Sequence, residues 1–245
     1  MNILLTNDDG VQSEGLIALA NALSEKHNIV VLAPDGNRSA SSHSLSIFCE
    51  LTFSKVETPY KYACYSLSGT PCDCVKFAIH YFKDIKFDLV ISGINAGENL
   101  GSNTSYSGTV AAALEGNFFH IPSIAFSCVK HTGCRFQDNA EAVIRLLPKL
   151  MELSSPDITL NVNFPNLPLK EISGAFVAPL GYVFYNDYYR QNSNGSFSLM
   201  GEPVYETEGE NDVALSSKNY ITVTPILFDR TDKASVEKYS GVNLL

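Results

Sequence analysis

Apolar runs of strand length alternate with helically spaced apolar positions through the first half of the chain. Residues 2–6 form a short apolar run, and Leu16, Leu19, Ala20 and Leu23 then recur at helical spacing. Residues 29–33 read Ile-Val-Val-Leu-Ala, a buried strand that stops at Pro34. Thr70-Pro71 has the form of an N-cap followed by proline at the first helical position, and Cys74, Phe77, Ala78, Tyr81 and Ile85 give that helix one apolar face. Residues 89–92 predict a strand, 109–115 an alanine-rich helix and 123–127 a strand. Ala140, Val143, Ile144 and Leu147 predict a helix after it.

This alternation predicts an α/β fold, Rossmann-like, with a mostly parallel sheet covered by helices on both faces. Ligands of such sheets bind beyond the carboxyl ends of the strands, which selects the loops after Thr6, Ala33, Ser92 and Ser127. From residue 159 the pattern changes. Strand-like runs at 159–164, 175–178, 197–200 and 221–225 are separated by turn-rich stretches such as Asn192-Ser193-Asn194-Gly195. The expected division is a Rossmann-like catalytic core over 1–158 and a β-rich part with oligomerisation arms over 159–245, integrated as one domain.

Composition narrows the function classes. The chain has 245 residues, 45% hydrophobic and 18% charged, enough for a full core. Its net charge of -9 disfavours duplex nucleic acid, which needs clustered Lys and Arg. No basic leader and no apolar run of about 18 residues is present, so neither a signal peptide nor a membrane helix is expected. The six cysteines form no C-x-x-C pair, and Cys72-x-Cys74 has no matching second pair. Reduced thiols in a cytoplasmic protein are the expectation, rather than a zinc site or disulfides.

Three of the selected loops carry chemistry. Asn7-Asp8-Asp9-Gly10 places adjacent carboxylates at a strand end, where they repel unless a cation lies between them. The loop from Asp35 to Ser44 is rich in hydroxyls and holds one arginine, Arg38. Residues 92–110 hold four glycines between a strand and a helix start, an arrangement that binds anions. It matches neither nucleotide-cradle motif, G-x-x-x-x-G-K-[ST] or G-x-G-x-x-G. Carboxylates with neutral oxygen ligands suit Mg²⁺ or Mn²⁺ rather than zinc. A cation beside a phosphate pocket suggests metal-assisted phosphate hydrolysis.

The chain resembles the SurE family of stationary-phase survival proteins. The resemblance rests on Ile3-Leu4-Leu5-Thr6-Asn7-Asp8-Asp9-Gly10, Ala33-Pro34-Asp35 with Ser39, Ser68-Gly69-Thr70-Pro71, Ser92-Gly93-Ile94-Asn95-Ala96-Gly97, Asn99-Leu100-Gly101, Tyr106-Ser107-Gly108-Thr109-Val110, Leu160-Asn161-Val162-Asn163, and residues 220–225. It implies a metal-dependent 5′-nucleotidase that hydrolyses nucleoside monophosphates, with 3′-nucleotides and short polyphosphate as further substrates. The implied ligands of one Mg²⁺ or Mn²⁺ per subunit are Asp8, Asp9, Ser39 and Asn95, with Asp8 and Asp9 catalytic. The implied phosphate contacts are Asn99, Ser107, Gly108 and Thr109. A homodimer or homotetramer exchanging C-terminal segments is implied as well. The chain departs from the usual pattern at Ala40, His43 and Glu98, and lacks Pro-Arg-Gly between 182 and 200, while the four ligand positions are intact.

Two other readings compete: a nucleotide-binding regulator without turnover, and a phosphatase of polyphosphate or sugar phosphates. For the nucleotidase, hydrolysis by water is expected. A phospho-aspartate route through Asp8 or Asp9 usually has a lysine near the phosphate, and none of the three loops contains one.

Overall fold

The computed structural model describes residues 1–129 and 133–243. Its centre is a nine-stranded sheet. Six strands run parallel in the order β4 (Ala63–Leu67), β2 (Asn28–Pro34), β1 (Asn2–Thr6), β5 (Leu89–Ala96), β6 (Ser123–Val129), β7 (Thr159–Pro165). Beyond β7 lie antiparallel β13 (Ile221–Ile226) and then β8 (Ala175–Val177), and β3 (Phe53–Lys55) closes the other edge antiparallel to β4. The sheet therefore runs without a break across residue 158. The expected mostly parallel α/β architecture is observed, with β hairpins added toward the C-terminus.

Strand periodicity sorts the core into two layers. Ile3 and Leu5 of β1, with Val31, Ile91 and Phe126, face α1 (Glu14–Ser24) and α4 (Phe136–Leu153), whose Leu16, Leu19, Val143 and Leu147 pack there. Leu4, Leu32, Leu67 and Val90 point the other way, onto Cys74, Val75 and Ala78 of α2 (Pro71–Tyr81) and Ala112 of α3 (Gly108–Phe118). The Thr70-Pro71 start forms a capping box: Thr70 Oγ1 accepts from the Asp73 N–H at 3.1 Å and the Asp73 carboxylate accepts from the Thr70 N–H at 2.8 Å. This helix ends at Tyr81, so Ile85 of the expected apolar face lies beyond it and Tyr81 is exposed.

The hairpins are β10 (Tyr188–Gln191) with β11 (Phe197–Met200), turning through Asn192 to Gly195, and β9 (Val183–Tyr185) with β12 (Pro203–Tyr205). They hold Phe184, Tyr189, Phe197 and Leu199 in solvent. Two short helices, α5 (Asp212–Ser216) and α6 (Lys233–Tyr239), complete the chain. No helix among the described residues is long and apolar enough to cross a membrane. Cys49, Cys64, Cys72, Cys74 and Cys128 are free thiols.

Candidate active site

The three loops meet at the carboxyl ends of β1, β2 and β5. Asn7 shapes the first turn: its Nδ2 donates to Gly10 O at 3.0 Å and to Ser13 Oγ at 2.6 Å. Asp8 and Asp9 project from that turn, Asp8 only 4% exposed. The second loop is tied to the first by the Arg38 N–H on Asp8 O at 2.7 Å. It is tied to the third by the Ser42 hydroxyl on Ser105 O at 2.7 Å and the Ser42 N–H on Tyr106 O at 3.1 Å. Ser39 sits exposed at the rim, its N–H on Asn37 Oδ1 at 2.9 Å. Arg38, the loop's cation, is turned away: its guanidinium bonds Asp35 Oδ1 at 2.9 Å and the carbonyls of Ser68 and Gly69.

An extra residue in β5 brings the third loop in. The register against β6 shifts between Ser92 and Asn95, a bulge of the kind found beside active sites. Gly93 occupies it at φ +132°, where a Cβ would lie 2.3 Å from Phe126 O. Beyond the bulge, the Ala96 N–H donates to Asp9 Oδ2 at 3.2 Å. Asn95 Nδ2 is committed to Gly97 O at 2.8 Å, so its oxygen is the atom left for ligation.

α3 starts against Asp8. The Thr109 hydroxyl donates to Asp8 Oδ1 at 2.5 Å. Ser107 is the N-cap, its Oγ accepting from the Val110 N–H at 3.0 Å; the Thr109 N–H faces the Asp8 carboxylate, which leaves the Gly108 N–H at the helix end. Gly108 permits the contact: a Cβ there would lie 2.7 Å from Ser41 Oγ and 2.9 Å from Asp8 Cβ. Asn99 lies one layer deeper. Its Nδ2 donates to Ser127 Oγ at 2.8 Å, its N–H to Asn163 Oδ1 at 2.8 Å, and its carbonyl accepts from Asn161 Nδ2 at 2.7 Å. The structure thus gathers Asp8, Asp9, Asn95, Ser107, Gly108 and Thr109 tightly, with Ser39 at the rim and Asn99 holding the loop from behind.

Electrostatics set this edge apart. Burial raises the Asp8 carboxyl to about 6; the Thr109 hydroxyl opposes that rise and the neighbouring Asp9 adds to it. Burial also raises Asp9, against the Ala96 N–H. Among the described residues no Lys, Arg or His forms an ion pair with either. The Ser41 hydroxyl is buried beside them without a hydrogen-bond partner. Two uncompensated carboxylates, an orphaned hydroxyl and a free amide oxygen fit a hard divalent cation.

The roles of several supporting residues escape sequence reasoning. Asn161 and Asn163 are fully buried in β7, although Leu-Asn-Val-Asn alternates like a half-exposed strand. Asp212, fully buried, accepts from the N–H groups of Gly101 at 2.9 Å and Gly181 at 2.7 Å and so anchors the third loop to the C-terminal part. Its only sequence signal is the cap residue Asn211, whose Oδ1 accepts from the Ala214 N–H. Glu115, inside the alanine-rich helix, is 3% exposed.

Known proteins resemble this chain over most of its length. The profile of the family "Survival protein SurE" matches residues 3–187. A "5'-nucleotidase SurE" of Petrotoga mobilis is 40% identical over 233 residues, 92% of each chain. Proteins of the same description from Clostridium botulinum and Kosmotoga olearia are 38% and 37% identical, covering 95% and 97% of this chain and 95% and 96% of theirs. The crystal structure of the Sure protein from Aquifex aeolicus superposes with a TM-score of 0.85 at 35% identity over 98% of both chains. The strand order, the carboxylate pair at its switch point and these full-length matches make the chain a member of the SurE family.

Proposed function

We propose that this chain is a divalent-metal-dependent 5′-nucleotidase that hydrolyses nucleoside monophosphates to nucleoside and phosphate. The observation that carries the reading is the pair of a buried Asp8 and a half-buried Asp9, lacking a cationic side chain, packed against the N-terminus of α3. Asp8, Asp9, Ser39 and Asn95 would hold one Mg²⁺ or Mn²⁺. When bound, such a cation supplies Lewis-acid chemistry, neutralising phosphoryl charge and acidifying water. The Gly108 N–H, aided by the helix dipole, binds a phosphoryl oxygen, and Thr109 acts there through its bonds to Asp8. Ser107 fixes that helix end by capping it, and the second amide hydrogen of Asn99 is free for a further oxygen. The Thr109 hydroxyl holds Asp8 in one rotamer, so the carboxylate needs no reorganisation as charge develops.

Water is the nucleophile in this reading, because no lysine stands in the loops to support a phospho-aspartate. The rim around Ser39 and Tyr106 is open, which suits 3′-nucleotides and short polyphosphate as further substrates. The exposed aromatic hairpins favour a homodimer or homotetramer, and the free thiols of Cys49, Cys64, Cys72, Cys74 and Cys128 favour the cytoplasm. A phosphate-release panel of nucleoside 5′- and 3′-monophosphates, a sugar phosphate and tripolyphosphate, with and without chelator, tests the reading. Chelator-sensitive release highest on 5′-monophosphates is expected. Binding of nucleotide without release would support a regulator instead.

A further inference from the structure

We propose that His43, Cys72 and Glu115 form a second cation site, separate from the Asp8-Asp9 pair and suited to zinc. One imidazole nitrogen, one sulfur and one carboxylate oxygen lie within 4.8 Å of one another. The three come from the loop after β2, the first turn of α2 and the middle of α3. Cys72 is fully buried and Glu115 nearly so, while His43, 22% exposed, forms the entrance. A tetrahedral zinc shell has Zn–S of about 2.3 Å and Zn–N and Zn–O of about 2.0–2.1 Å. Its ligand atoms are therefore roughly 3.3–3.6 Å apart, so closure requires side-chain shifts on the order of 1 Å. The set of nitrogen, sulfur and oxygen is borderline-soft, in contrast to the all-oxygen set at Asp8 and Asp9.

The two oxygens of Glu115 already have separate tasks. Oε2 meets His43 Nε2 at 2.8 Å, and Oε1 meets Lys76 Nζ at 2.8 Å. A cation entering between His43, Cys72 and Oε2 would leave Lys76 on Oε1 as an outer partner of the carboxylate. The Lys76 ammonium is like-charged, but it is one-third exposed and also lies over the rings of Phe118 and Phe119 at 5.3 and 4.8 Å. Solvent and these rings stabilise it, and a Cys72 thiolate adds a compensating negative charge. Loading is balanced in protons. Cys72 loses its thiol proton to solvent, and the Nε2 proton moves to Nδ1 or leaves an imidazolium. The His43–Glu115–Lys76 ion pairs alone have no use for Cys72; a metal uses all three ligands. The loaded site would clamp the loop carrying Ser39 and Ser41 to both α2 and α3.

Co²⁺ reports thiolate ligation directly, through a sulfur-to-cobalt charge-transfer band in the near ultraviolet. Full-length protein titrated with Co²⁺ is expected to show that band at one equivalent, with Zn²⁺ displacing it and one or more protons released. Asp9→Asn should keep the band, which separates this site from the first. Cys72→Ser should abolish it. His43→Gln, at a partly exposed position, should weaken Co²⁺ binding at this site by at least about tenfold and serves if Cys72→Ser does not fold. The proposal is overturned if saturating Co²⁺ gives no such band, if the band survives Cys72→Ser, or if His43→Gln leaves the affinity unchanged.

Discussion

Replacing Gly108 with alanine adds one methyl group at the tightest point of the site. Its Cβ would stand 2.7 Å from Ser41 Oγ, 2.9 Å from Asp8 Cβ and 3.0 Å from Asp8 Oδ2. Ser41 can rotate its unpartnered hydroxyl away. Asp8 cannot move freely, because the Arg38 N–H holds its carbonyl and Thr109 holds its carboxylate. The methyl therefore displaces Asp8 or breaks its bond to Thr109. Overpacking of this kind costs about 1–3 kcal/mol. Alanine in place of helical glycine returns up to about 1 kcal/mol. The net loss of 0–2 kcal/mol lowers Tm by less than about 8 °C in a chain of this length. A misplacement approaching 1 Å costs about 10²-fold in rate, so turnover should fall about 10- to 100-fold while the fold survives. Phosphate release from a nucleoside 5′-monophosphate at saturating Mn²⁺, with Tm on the same sample, measures both. Gly36→Ala is the control: no heavy atom lies within 4 Å of its Cβ and its φ is ordinary, so it should stay within about 0.5 kcal/mol of wild type. Wild-type turnover in Gly108→Ala would refute the argument that this glycine is required by the Asp8 contact.

Other expectations follow from the same geometry. Asp9→Asn should cost roughly 10²-fold or more in turnover with unchanged circular dichroism and a Tm no lower than wild type, since it removes a half-buried charge beside Asp8. Asp8 has a raised folded pKa of about 6 against 3.8 unfolded, so the native state binds its proton more tightly. Its contribution is fully present below about pH 4 and is lost as pH rises through 6, on the order of 3 kcal/mol in metal-free protein. Tm of metal-free wild type minus that of Asp8→Asn, followed from pH 4 to 7.5, should fall accordingly; a flat difference would contradict it. Light scattering at micromolar concentration should show a dimer or tetramer that dissociates when residues 182–205 are deleted, and a monomeric full-length chain would contradict the role given to the hairpins. Acid-quenched enzyme should carry no label from substrate labelled in the phosphoryl group; label on Asp8 or Asp9 would identify a phospho-aspartate.

The parallel core was legible because its strands are unbroken apolar runs, as in residues 29–33, and its helices repeat at 3.6 residues. The edge was not. β4 reads Ala-Cys-Tyr-Ser-Leu, a mixed stretch that becomes a strand only because β2 pairs with it. At the site, Asp8 and Asp9 announced themselves as adjacent charges that need a partner. Asn161, Asn163 and Asp212 did not, because each satisfies backbone groups of a loop more than 30 residues away in sequence or across the sheet, and such pairings leave no local pattern. Glu115 reads as the solvent-facing residue of an alanine-rich helix, whereas His43 and Lys76 hold it inside.

On this reading, a divalent cation on Asp8, Asp9, Ser39 and Asn95 would make this sheet edge a hydrolase. Titrating Mn²⁺ into metal-stripped protein, with binding and phosphate release followed in the same samples, tests it directly. The expected result at this site is one Mn²⁺ per chain, turnover rising in proportion to its occupancy, and loss of both in Asp9→Asn. Full turnover in metal-stripped protein, or unaltered Mn²⁺ binding and activity in Asp9→Asn, would contradict it.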